Sequence, residues 1–224
     1  MDDLARTNIL DTLASQYGIR ILNPGRWELT HLQRVLKAVK DLAELMGDFA
    51  RFQSEIRGVC ISRYHRKTRL AAMTLPVIGV TYFESASWGD ENEDKRELKW
   101  QTVHELAHLW DIRKLFRLSC GVKRATSSKY GKFTGQLPML LEYEPGGKWL
   151  KCRGKPLNAL EDWADSVGTY VYSDYAESLP NPRLISTIRW NYVSEHMHIK
   201  LPYPADWDSR FDEPEISGET PSDR

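Results

Sequence analysis

No stretch of this 224-residue chain approaches the roughly 20 consecutive apolar residues that a bilayer-spanning helix requires. Residues 1–18 open with acids and lack both a basic leader and a continuous apolar core, which excludes a secretory signal of the usual kind. Together these absences predict a soluble protein without a membrane partner, cytoplasmic or exported without a usual signal peptide. Nor does one charge predominate: Lys+Arg and Asp+Glu both number 31, so no basic surplus points to nucleic acid or anionic lipid. Cysteine is scarce. Cys60, Cys120 and Cys152 are too few and too widely spaced for a disulfide framework or a CxxC metal site, and they read as plain thiols of a reducing compartment. No internal repeat is visible.

What remains has the balance of an ordinary globular protein, with 41% hydrophobic and 28% charged residues. The length fits one domain. The spacing predicts a helix over 4–17, a break at Asn23-Pro24-Gly25, and a strongly amphipathic helix over 29–46 in which Leu32, Val35, Leu36, Val39, Leu42 and Ala43 share a face. Residues 58–64 and 76–83 are rich in β-branched and aromatic residues and read as two strands. The acidic run 85–95 reads as a solvated loop before a helix over 96–116. That helix carries Leu98, Trp100, Val103, Leu106, Ala107, Leu109 and Trp110 on nearly every side, the mark of a buried helix. Residues 119–156 lack periodicity except for an apolar run at 137–143, and a loop of that length is more often functional than idle. Helices over 158–175 and 182–197 follow, the second with Pro182 in its first turn. The expected domain spans 1–202, with 1–24 as an N-terminal helical extension and the acidic, proline-rich 203–224 as a flexible tail.

On the buried helix, His104-Glu105-Leu106-Ala107-His108 fits the pattern HExxH. Residues four apart lie one turn apart on one face, so both imidazoles can reach one metal ion, while Glu105, about 100° round, can reach a water on that metal. Burying two histidines and a glutamate on an apolar helix is costly unless they find partners, and a metal is such a partner. A catalytic zinc takes three protein ligands and keeps one open position. The longer pattern HExxHxxGxxH is excluded, since Asp111 and Lys114 stand where glycine and histidine are required. Downstream, Glu161 and Asp165 are four apart on the next predicted helix, so Glu161 can complete the site while Asp165 accepts a hydrogen bond from a liganding histidine. His196, His198 and Glu142 are the alternatives for the third ligand, and Asp174 is a weaker one.

The segments VHELAHLWD at 103–111 and EDWADSVGTYV at 161–171 together resemble the gluzincin branch of the zincin metallopeptidases. Glu161 follows His108 by 53 positions, a longer gap than in thermolysin-like members and more similar to lethal-factor-like catalytic domains. The resemblance implies an α+β, zincin-like fold, with a small mixed sheet packed on the HExxH helix and further helices around it. It also implies Zn2+ held by His104, His108 and Glu161, Glu105 as the general base, and Asp165 behind His104. The activity it implies is metalloendopeptidase cleavage of a protein or peptide substrate. Two further readings share these residues: a catalytically degenerate zinc-binding scaffold with a regulatory or interaction role, and hydrolysis of a small amide or ester.

The family also leads one to expect an extended substrate pairing with an edge strand, for which 77–83 is the candidate. A Tyr or His that steadies the oxyanion is expected too. Tyr130, Tyr143, His196 and His198 are candidates, whereas Tyr172 lies about 16 Å along the helix from Glu161 at 1.5 Å per residue, too far to serve. His31 and His65 read as surface or internally satisfied histidines. The eight Trp, among them Trp100, Trp110 and Trp163, read as core rather than as a carbohydrate platform.

Overall fold

The most regular apolar stripe in the sequence forms the longest described helix, Leu29–Met46, whose buried positions Leu32, Val35, Ala38, Val39, Leu42, Ala43 and Met46 all face inward. The computed structural model describes residues 2–64, 72–75, 79–83, 97–126, 143–144, 148–149, 151–152, 155–156, 159–179 and 182–207. In chain order these form α1 (Asp2–Tyr17), β1 (Ile19–Ile21), α2 (Leu29–Met46), α3 (Phe49–Ile56), β2 (Val59–Tyr64), β3 (Ala72–Leu75), β4 (Gly79–Phe83), α4 (Glu97–Arg113) and α5 (Arg117–Thr126). Four two-residue strands follow, β5 (Tyr143–Glu144), β6 (Lys148–Trp149), β7 (Lys151–Cys152) and β8 (Lys155–Pro156), and then α6 (Ala159–Val171), α7 (Ser173–Ser178) and α8 (Thr187–His196). The class is α+β.

The main sheet has the order β1-β2-β4-β3. β1, β2 and β4 run parallel, with Ile19 opposite Val59 and Ile61 opposite Val80, while β3 is antiparallel to β4, with Thr74 opposite Val80. Ile19, Ile21, Val59, Ile61 and Val80 are buried. Two expectations change here. Residues 1–24 are no mere extension, because β1 is a strand of the sheet and α1 packs on α2. The strand expected over 76–83 covers only Gly79–Phe83 among the described residues, and it is an inner strand; among those residues the edges are β1 and β3, and neither had been foreseen.

Helix boundaries also shift, for identifiable local reasons. Gly47, at φ 119°, ends α2 in a conformation that glycine tolerates, and Asp48 then caps α3 by accepting the Arg51 N–H at 2.7 Å. The helix expected over 96–116 stops at Arg113, because Leu115 and Phe116 adopt left-handed φ of 53° and 61°. Asp111 stabilises that break, its Oδ1 accepting the N–H groups of Leu118 and Ser119 at 3.0 Å each in the first turn of α5. Part of the stretch expected to be irregular, 119–156, is therefore helix, and β5 to β8 form two short antiparallel hairpins within it. The 158–175 helix is divided at Tyr172, and residues 182–186 are neither helix nor strand, with Ser186 extended, so α8 begins at Thr187 rather than at Pro182. The loop at 85–95 and His65 lie outside the described residues, as does the apolar run 137–143 up to its last residue, Tyr143.

The tail expected from 203 onward is packed as far as Trp207. Trp190, Tyr203 and Trp207 meet edge to face at 5.7 to 5.9 Å, and Trp190 and Trp207 are essentially inaccessible. Main-chain bonds from His198 and Ile199 to the Leu45 carbonyl tie this segment to α2. Among the described residues, no helix is long and apolar enough to cross a membrane.

Candidate metal centre

α4 is buried on almost every side, as its sequence requires, and its most extensive packing is against α6. Two features draw these helices close. Gly168 on α6 faces the Trp100 indole on α4, where an added Cβ would lie only 2.9 Å from the ring. Farther along both helices, Trp163 donates its indole N–H to the Ala107 carbonyl at 3.0 Å. The expectation of Trp100, Trp110 and Trp163 as core is met, for all three are buried. A fully buried large apolar side chain is worth about 1.5–3 kcal/mol, so this interface is well able to hold polar groups in place.

Between the helices, His104 Nε2 lies 3.1 Å from His108 Nε2 and 3.4 Å from Glu161 Oε2, and His108 Nε2 lies 3.5 Å from the same carboxylate oxygen. Behind His104, Asp165 Oδ1 stands 2.8 Å from Nδ1, although the ring N–H is not aimed along that line. The other Asp165 oxygen is buried with no hydrogen-bond partner among the described residues. Glu105 is buried beside the pair, and its carboxylate Oε2 is engaged by the hydroxyl of Thr74 on β3. So the structure brings His104, Glu105, His108, Glu161 and Asp165 into one place.

Electrostatics explains why this arrangement suits a cation. Burial works against a charge on His104, but Asp165 beside Nδ1 and Glu161 beside Nε2 outweigh it and raise its pKa well above the usual imidazole value. Burial likewise opposes a charge on Glu161, yet His108 and His104 hold its carboxyl far below the usual carboxylate range. Two ring nitrogens and a carboxylate oxygen, all within 4.8 Å of one another, form a group that could hold a metal ion. Lone pairs on three atoms this close repel unless a proton or a metal ion lies among them, and with its proton on Nδ1, the Asp165 side, His104 would present the lone pair of Nε2 inward.

Other candidates lie elsewhere. His196 sits among the rings of Trp110, Trp163 and Tyr192, and burial lowers its pKa. His198 is exposed beside Gly47, and Asp174 is exposed on α7. Tyr172 donates its hydroxyl to Asp41 at 2.7 Å, and burial with that partner pushes the phenol well above its usual value, so it serves the α2 contact. Glu142, Tyr130 and the Tyr143 ring lie outside the described residues. His31 is internally satisfied, with Arg63 Nη1 3.1 Å from its Nδ1. Cys60 and Cys120 are free thiols.

Three residues at the centre had not been singled out for it. Thr74 belongs to a strand absent from the expected layout. Trp100 stacks on the His104 ring at 5.2 Å and 30°, and the Arg183 guanidinium lies 4.3 Å from the Trp100 ring. The Trp100 contact was legible in the spacing, since Trp100 precedes His104 by one turn; Arg183 reaches it from a segment that is neither helix nor strand and left no such signal. Comparison with protein-family models, with curated proteins and with solved structures returns no match.

Proposed function

We propose that this chain is a zinc-dependent endopeptidase of the zincin type, most similar to the gluzincins. One observation carries the proposal: His104 Nε2, His108 Nε2 and Glu161 Oε2 from two separate helices converge, with Glu105 beside them. Two imidazoles and a carboxylate are the donor set of a catalytic zinc, and these three residues would hold it. When bound, zinc polarises a substrate carbonyl and lowers the pKa of a water toward about 7. Glu105 accepts the proton of the attacking water and returns it to the leaving amine. Asp165 orients the His104 ring. The mixed sheet, with an antiparallel edge strand against α4, supports the zincin comparison, and on this reading an extended peptide would pair with β3 rather than with β4.

The test combines metal analysis with digestion of mixed peptides and unstructured proteins. The expected result is about one zinc per chain and cleavage that a chelator abolishes. Glu105→Gln is expected to keep its zinc and lose on the order of 10²–10⁴ in turnover. A protein that binds zinc, cleaves nothing, and behaves identically as Glu105→Gln would instead be a binding module. Cleavage of small amides or esters with no action on peptides would move the assignment to a different hydrolase.

A further inference from the structure

Thr74 of the main sheet hydrogen-bonds the glutamate of the HExxH segment, and its contacts are specific. Its hydroxyl meets two oxygens of the same residue, Glu105 Oε2 and, at 3.1 Å, the Glu105 carbonyl. The carbonyl can only accept, and a carboxylate can only accept, so the single hydroxyl proton must serve one of them at a time. Thr74 lies on the short edge strand β3, opposite Val80 of β4, so its position is set by the sheet, independently of α4. A threonine side chain has few rotamers, which makes it a stiff prop for a longer, more flexible glutamate.

We propose that Thr74 is a positioning residue for the general base: by occupying Oε2 it fixes the Glu105 carboxylate and leaves Oε1 as the oxygen that handles the proton of the attacking water. This rests on the peptidase reading above. The prop also joins the edge strand to the base, so the element expected to align an extended peptide also aims Glu105. Thr74 itself exchanges no proton with substrate. Proton transfer stays between water, Glu105 and the leaving amine.

The test uses the full-length, zinc-loaded protein and Thr74→Val, which keeps the shape and removes the hydroxyl. Once wild-type cleavage and its loss in Glu105→Gln are established, Thr74→Val is expected to lower kcat on the order of tenfold, with KM within about twofold and zinc stoichiometry unchanged. Thr74→Ser should restore most of kcat, and if Thr74→Val does not fold, Thr74→Ala takes its place. A second readout needs neither metal nor turnover: in the metal-free protein, the Tm change caused by Thr74→Val should shrink in a Glu105→Ala background, as expected for side chains in contact. Wild-type kcat in Thr74→Val, equal impairment in Thr74→Ser, or additive Tm changes would overturn the role of Thr74 and leave the peptidase reading intact. A wild-type protein that cleaves nothing overturns both.

Discussion

Glu161 and Asp162 are neighbours on α6, both buried and both carboxylates, yet they meet opposite kinds of partner. Asp162 turns toward α8, where Arg189 grips it with two contacts, Nε to Oδ1 at 2.8 Å and Nη2 to Oδ2 at 3.2 Å. Arg189 is always charged, so that pair is electrically closed whatever the solution holds. Glu161 turns toward α4 and meets His104 and His108, whose charge is conditional. Asp162 thus faces a permanent cation, whereas the imidazoles beside Glu161 become cationic only with a proton. The difference separates a strut from a candidate metal site, although the two acids are adjacent in sequence.

This contrast can be broken most severely at Glu161. Glu161→Ala should abolish one-to-one zinc retention and, with it, the zinc-dependent rise in stability, which for a ligand at a thousand times its Kd amounts to about 4 kcal/mol. Metal analysis and thermal melts with and without zinc measure it; undiminished zinc content would remove Glu161 from the site. Next in size, Arg189→Leu takes from Asp162 its two-contact guanidinium partner and should cost about 3–5 kcal/mol by chemical denaturation, equally with and without metal. A loss seen only in the metal-loaded protein would erase the distinction between the two faces. Replacing both partners, as Asp162→Leu with Arg189→Met, should recover much of the loss.

Smaller effects sharpen the comparison. Asp165→Asn should weaken zinc binding by about 10–100-fold in competition titrations, since the neutral amide supports the His104 ring less well. The least effect is the pH dependence of the metal-free protein. His104, with its pKa raised, adds stability that is complete below the ordinary value of 6.5 and fades as pH rises through the raised value. Glu161, with its pKa lowered, adds stability that is complete above the ordinary value of 4.5 and fades as pH falls through the lowered value. These two groups therefore favour a Tm maximum between pH 4.5 and 6.5 without metal. Zinc must displace the imidazole proton, so the gain in Tm on adding it should grow as pH rises from there. A gain independent of pH would mean that His104 is not a ligand.

The convergence at the centre was legible because it depends on short-range helical spacing, His104 with His108 and Glu161 with Asp165, on helices whose apolar positions were unmistakable. Strand order was not. An alternating run such as 79–83 suits an inner and an outer strand equally well, and only the pairing of β3 with β4 decides the matter. The break at Leu115 and Phe116 was hidden for a different reason: no glycine or proline marks it, and its support comes from Asp111 in the preceding helix. The three-residue strand β1 was too short for its pattern to register, and the eight-residue α3, capped by Asp48, offers only Phe52 and Ile56 as a buried pair at helical spacing. Trp207 stands in a segment whose composition suggested a free tail, and it is held by rings rather than by any local pattern.

The stacking of Trp100 on His104 has a practical side. An ion that absorbs light or carries unpaired electrons, such as Co2+ or Cu2+, would bind a ring whose centroid lies 5.2 Å from that of an intrinsic fluorophore. Its entry should dim part of the tryptophan emission without any label, and Trp100→Phe should silence that portion of the signal. The molecule would thus carry its own optical gauge of occupancy.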